Sequence, residues 1–132
     1  MQIITNPTKK MLDDIQSLLN QEKYLGIMDI YTNYHPRYFV VLDHEVPAAV
    51  ATVHGSNECP ELYKLYVVPN YRNKGVAMDL VTHVMRQLAS EGAEEVFVEM
   101  TEQSVNFWDK VSDKFSYELI EGSLKVFFKP NG

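Results

Sequence analysis

Residues 62–81 read LYKLYVVPNYRNKGVAMDLV, and their spacing suits the holding of an anion. An apolar strand from Leu62 to Val68 breaks at Pro69. The polar loop Asn70-Tyr71-Arg72-Asn73-Lys74 follows, and Gly75 opens a helix through Val76, Ala77, Leu80 and Val81. The first N–H groups of a helix have no intrahelical partners, and the helix dipole adds partial positive charge there. Gly75 has no Cβ to block the close approach of a phosphate. Arg72 and Lys74 bring formal charge to the loop. The segment lacks the Gly-x-Gly-x-x-Gly run of a dinucleotide fold. It also lacks the distal Gly and Lys-Ser/Thr pair of an NTPase loop. Many βα units share the strand–loop–Gly–helix pattern, so an unspecialised βα turn and a phosphate-binding module both remain open on these residues alone.

The elements around this segment can be read from hydrophobic period and turn residues. Gln2–Thr5 reads as a short strand, and Asn6-Pro7 starts a helix with Pro in its first turn. Met11, Ile15, Leu18 and Leu19 share one helical face. Residues 24–34 mix Leu, Ile, Met and Tyr and suit a short second helix before His35-Pro36. Tyr38–Leu42 and Pro47–His54 pair as a hairpin across the turn Asp43-His44-Glu45. Glu61–Val68 is the next strand, and the helix from Gly75 runs to about Ser90, ending near Gly92. Glu95–Met100 alternates like a strand, Gln103–Val111 is a helix, and Tyr117–Ile120 with Leu124–Phe128 forms a hairpin. The order is β-α-α-β-β-β-α-β-α-β-β. Three antiparallel strands followed by a βαβ-like unit predict an α/β fold built on a mixed sheet with helices on both faces.

The length of 132 residues suits a single domain over 1–132. Hydrophobic residues make up 45% and charged residues 23%, as in ordinary globular proteins. No apolar run is long enough to span a bilayer, so no membrane partner is expected. Cys59 is alone, which gives no disulfide framework and no CxxC metal site. The start MQIITNPTKK lacks a signal pattern, so a cytoplasmic, reducing location is the expectation. A net charge of −6 argues against nucleic-acid binding and suits a cationic partner.

The order of residues in the central segment resembles a known family. Arg72-Asn73-Lys74-Gly75-Val76-Ala77 fits the Arg/Gln-x-x-Gly-x-Gly/Ala motif of the GNAT superfamily of acyl-CoA-dependent N-acetyltransferases. Leu65-Tyr66-Val67-Val68-Pro69-Asn70-Tyr71 looks like that family's fourth strand and loop. Val105-Asn106-Phe107-Trp108-Asp109-Lys110 is similar to its later Phe-Tyr-x-Lys helix. The resemblance is strong over residues 62–81, weaker to residue 115, and limited to element order over the first 60 residues.

The resemblance implies a GNAT-like fold in which the fourth and fifth strands splay apart and hold the acyl-CoA pantetheine between them. It implies acetyl-CoA as co-substrate and a small-molecule amine or peptide amine as acceptor. Cofactor contacts would come from Leu65, Tyr66 and Val67, then from Arg72, Asn73, Lys74, Gly75, Val76, Ala77 and Met78. Family members often pair through sheet edges or C-terminal strands, so a homodimer is one expected form.

Transfer of an acetyl group to an amine needs a proton acceptor and a donor at the thioester carbonyl. Glu61 stands at the start of its strand, eleven positions before Arg72, where some family members place a catalytic Glu. It is the first candidate for general base, against a solvated Glu at a strand entry. His54 ends the preceding strand and is the second candidate, since histidine titrates near neutral pH. Tyr63 shares a face with Glu61 and either lines the amine pocket or packs. Tyr24, Tyr31, Tyr34 and Tyr38 lie in the region that covers the family's acceptor site, as a cation-binding wall or as packing.

Trp108 stands where many members carry a Tyr that protonates the departing thiolate, and an indole has no usable acid proton. It is therefore expected to wall the cofactor, with Phe107 turned into the core, since helical neighbours point about 100° apart. Tyr117 is a substitute acid candidate. The departure at 108 also leaves open a GNAT-fold acyl-CoA-binding or interaction protein without transferase activity.

Overall fold

The computed structural model describes residues 1–22 and 27–131. β1 (Gln2–Ile4) leads into α1 (Lys9–Asn20). The helix starts at Thr8, whose Oγ1 accepts the Met11 N–H at 3.2 Å. Pro7 therefore lies just before the cap and not in the first turn, because Thr8 supplies the oxygen that a helix start needs. Leu12, Ile15 and Leu19 are the buried residues of α1, with Met11 and Leu18 on the margins of the face.

No second helix forms over residues 27–34. Side chains take the backbone groups there instead. Asp29 Oδ1 accepts the Tyr31 N–H at 2.9 Å, and Gln16 Oε1 accepts the Ile30 N–H at 3.0 Å. The buried Thr52 hydroxyl donates to the Ile30 carbonyl. Such bonds compete with helical ones. The remainder of the expected helix, with Tyr24, lies outside the described residues.

β2 (Arg37–Asp43) and β3 (Val46–Gly55) form a hairpin through His44 and Glu45, both at positive φ. That matches the primed turns whose twist suits a two-residue hairpin loop. β4 (Pro60–Val67) pairs antiparallel with β3. After the loop comes α2 (Val76–Ser90), then β5 (Val96–Glu99), a 3₁₀ turn over Glu102–Ser104, and α3 (Val105–Val111). β6 (Ser116–Leu119) and β7 (Lys125–Lys129) close the chain.

Among the described residues seven strands form one mixed sheet in the order β1-β2-β3-β4-β5-β7-β6, in which only the β4–β5 pair is parallel. Strand alternation sends Val40, Leu42, Val50 and Tyr66 to one face, under Leu12, Ile15 and Leu19 of α1. Phe39, Val41, Ala51 and Leu62 go to the other face, under Leu80, Val84 and Met85 of α2 and Trp108 and Val111 of α3. β4 breaks its own alternation. Val53 opposes Leu62 while Thr52 opposes Lys64, so Tyr63 is the extra residue of a bulge. The bulge lets Leu62, Leu65 and Val67 share the α2 face.

Candidate active site

β4 and β5 meet in register at Glu61 and Phe97. Beyond that pair a cleft of about 550 Å³ lies between them. Its walls are Leu62–Val67 of β4, Val98 and Glu99 of β5, and Thr101, Gln103, Ser104, Phe107 and Trp108. Arg72 and Ala77 border it at the loop and the start of α2, and Ile27 from the other face.

At the loop end, Gly75 is the N-cap of α2 with φ 79 and ψ 5, and no side chain caps the helix. A left-handed residue here favours glycine. A Cβ built on Gly75 would meet nothing within 4 Å, so the space beside Gly75 is open. Asn73 is also left-handed at φ 61. The first N–H groups of a helix lack intrahelical partners, so an uncapped start beside open space fits a phosphate group. Asn73, Lys74, Gly75, Val76 and Met78 surround the helix start and are outside the cleft lining, whereas Leu65, Tyr66, Val67, Arg72, Ala77 and Trp108 line it.

The Arg72 side chain turns back into the protein. Its Nε donates to the Val67 carbonyl at 3.0 Å and its Nη2 to Glu22 Oε2 at 2.8 Å. The Tyr66 hydroxyl donates to the same Glu22 oxygen. Burial, and then Glu22, hold the Tyr66 phenol well above the usual tyrosine range. Arg72 thus ties the loop to the strand and to the end of α1. Lys74 lies 6.0 Å from the Tyr71 ring, and the Tyr71 hydroxyl donates to Asp43 at 3.0 Å.

Where β4 leaves β5, His54 and Glu61 are register partners across β3 and β4, and neither lines the cleft itself. His54 Nε2 lies 2.9 Å from Glu61 Oε1, and His54 Nδ1 lies 2.7 Å from Thr32 Oγ1. Tyr63 stacks on the His54 ring at 4.2 Å and 17°, and Tyr34 meets it edge-on at 5.8 Å. The His54 and Glu61 side chains are 13% and 25% exposed, so water is limited without being excluded. Tyr63 connects this group to the cleft that it lines. On its other side His54 borders a second cavity of about 450 Å³, with His35, Ser56, Asn57 and the Arg37–Glu91 ion pair.

Of the tyrosines near this end, Tyr31 donates to Asp13 at 2.5 Å and meets Tyr38 edge-on at 6.2 Å. Burial first, and then Asp13, push the Tyr31 phenol up to about 12. These two are packing residues, and Tyr34 is the exposed member next to His54. Trp108 is 5% exposed and lies 5.9 Å from the Phe128 ring. Both Phe107 and Trp108 line the cleft, with their rings at 76°. The expected division into one core and one cleft residue fails because the indole is large enough to pack on Phe128 and still reach the cleft. Tyr117 stands on β6, half exposed against Phe128, and does not line the cleft. Thr32 carries no sequence signal, because it lies in coil 22 residues from its partner.

The model of the acetyltransferase (GNAT) family matches residues 8–112, most of the chain. The chain belongs to this family, and the mixed sheet with its three α-helices is the family's fold. Tetrahymena GCN5 superposes with a TM-score of 0.73 at 13% identity, over 97% of this chain and 94% of that one. A variant of the spermidine N-acetyltransferase SpeG from Vibrio cholerae gives 0.75 at 12%, over 99% and 96%. The PaiA N-acetyltransferase of Thermoplasma acidophilum, in complex with coenzyme A, gives 0.70 at 17%, over 98% and 99%. At these identities the likeness is one of fold. No curated protein matches the sequence.

Proposed function

We propose that the chain moves an acetyl group from acetyl-CoA to a primary amine, either a small amine or a peptide amino group, by direct transfer. The observation that carries this proposal is the cleft between β4 and β5, bordered by Arg72 and Ala77 beside the uncapped, glycine-opened start of α2 and by Leu62 and Tyr63, which follow Glu61 on β4.

The amine arrives as an ammonium ion, and Glu61 takes one proton from it. The amine lone pair then attacks the thioester carbonyl carbon. Beyond the Glu61–Phe97 pair β4 has no register partner on β5, and a backbone N–H of β4 there would suit the developing oxyanion. The carbon–sulfur bond breaks, the thiolate leaves with the electron pair, and the second proton of the nitrogen passes to that thiolate or to solvent, which gives the amide and CoA thiol. A thiol is a weak acid, with a pKa of about 8.5, so this leaving group needs little help from a side-chain acid. Two similar structures are named for transfer to spermidine and to aminoglycosides, both of them amines, and a net charge of −6 suits a cationic acceptor.

The test is a broad amine panel with acetyl-CoA and a reagent for free thiol, run beside a CoA-binding assay. Thiol release with at least one amine supports the proposal. CoA binding with no turnover across the panel points to a binding protein of the same fold. Displacement of a bound probe by ATP and not by CoA points to a simple phosphate-binding module.

A further inference from the structure

We propose that Thr32 and His54 are a positioning pair that fixes the Glu61 carboxylate and leaves its second oxygen free for the acceptor's proton. This rests on the proposal that Glu61 is the base. An ionised carboxylate only accepts hydrogen bonds, so His54 Nε2 must carry the hydrogen in its 2.9 Å contact with Glu61 Oε1. A neutral imidazole has one N–H, so Nδ1 is then an acceptor. Thr32 Oγ1 lies 2.7 Å from Nδ1 and already accepts the Tyr34 N–H at 3.3 Å, which leaves its own hydrogen for His54. The polarity therefore runs one way, from Thr32 through His54 to Glu61.

Each member of the chain is fixed in turn. The Tyr38 hydroxyl lies 3.3 Å from both the backbone N–H and the carbonyl of Thr32. Tyr63 and Tyr34 clamp the His54 ring on its face and its edge. The remaining ionisable groups around the ring are His35 and the Arg37–Glu91 pair across the second cavity, and that arginine is bound to its own carboxylate. Both nitrogens of His54 are thus engaged, so neither is free for an amine. Among the described residues no donor reaches Glu61 Oε2. In turnover the acceptor's proton moves from the ammonium nitrogen to Oε2 and later to solvent, while the bonds to His54 and Thr32 keep their partners.

The experiment follows the ring nitrogens of His54 by nitrogen-15 NMR, with the signals assigned by their loss in His54→Gln. The parent should show Nε2 protonated and Nδ1 bare. Thr32→Val keeps the shape and removes the hydroxyl, and should raise the Nδ1–H population. It should also lower kcat about tenfold, less than the ~10²–10⁴-fold cost of losing a base. KM for acetyl-CoA should stay within about twofold, since the interaction belongs to the chemical step. Thr32→Ser should restore both the tautomer and kcat, which a packing role for the threonine methyl would not do. A parent with Nδ1 protonated, or a Thr32→Val protein like the parent in tautomer and kcat, overturns the proposal. The NMR arm needs no acceptor, so a parent without transferase activity would count against the base assignment while the tautomer still decides on the positioning pair.

Discussion

His54 and Glu61 face each other across the β3–β4 hairpin, and their side chains meet at 2.9 Å. Each is a plausible proton acceptor by residue type alone. Contact makes their roles unequal, since the ring spends both nitrogens on Thr32 and Glu61 while the carboxylate keeps one oxygen open.

Glu61→Gln tests that inequality directly. The amide keeps the shape and removes the proton acceptor. At neutral pH kcat should fall by ~10²–10⁴-fold, the usual cost of losing a general base. The rise in melting temperature on adding CoA should be unchanged, because the proposed cofactor contacts lie along β4 and the α2 start. An unchanged kcat would mean that the acceptor arrives already deprotonated.

Gly75→Asp tests the other end of the cleft. CoA at about one hundred times its Kd should stabilise the parent by about 2.7 kcal/mol. Aspartate places a side chain and a negative charge in the open space before α2, at a φ of 79 that L residues resist. It should abolish the CoA shift. Gly75→Ala carries the backbone strain of roughly 1–2 kcal/mol without the charge. It should lose stability and keep part of the shift. An aspartate variant that binds CoA like the parent would place the phosphates elsewhere.

The two ends of the site were not equally legible in the sequence. The β4–loop–Gly75–α2 unit is contiguous, so Pro69, Gly75 and the apolar period of α2 announce it locally. Glu61 and His54 could each be named, but their contact depends on the β3–β4 register, with its bulge at Tyr63. Thr32 and Glu22 were missed, because each reaches the site through coil or a helix end with no periodicity. The Arg72 charge looked free for a ligand in the linear sequence. Folding brings Glu22 to it from 50 residues away. The expected second helix failed for a related reason, since Gln16 and Thr52, distant in sequence, claim the Ile30 backbone.

The raised phenols of Tyr31 and Tyr66 predict a loss of stability at alkaline pH. Tyr31 is pushed up to about 12, and Tyr66 is shifted in the same direction. An unfolded tyrosine ionises near pH 10. Above that pH the unfolded chain binds fewer protons than the folded one, so stability must fall as pH rises. The contribution of Tyr31 is complete below about pH 10 and is lost by about pH 12. Urea midpoints between about pH 9 and 11.5 should decline, and Tyr31→Phe should flatten part of the decline. An equal slope in the variant would show that Tyr31 ionises freely in the folded protein.

Trp108 occupies the position where many family members carry a phenol, and it is one of the buried residues of the α3 core face. Two roles meet in one side chain, packing on Phe128 and walling the cleft. Trp108→Phe shortens the ring and should cost about 1–2 kcal/mol, because the void beside Phe128 closes only in part. Most of kcat should survive, with slightly weaker CoA binding, since the indole gives no proton in the proposed reaction. Trp108→Tyr puts a phenol at the same cleft wall. If release of the thiolate limits turnover, kcat should rise in this variant, and it should stay level if an earlier step limits. The decisive comparison is between kcat and the CoA-induced melting shift in Trp108→Phe. A loss of kcat of about a hundredfold, the scale of acid–base catalysis, with the CoA shift intact would mean that the indole N–H takes part in the chemistry and that the wall is also a donor.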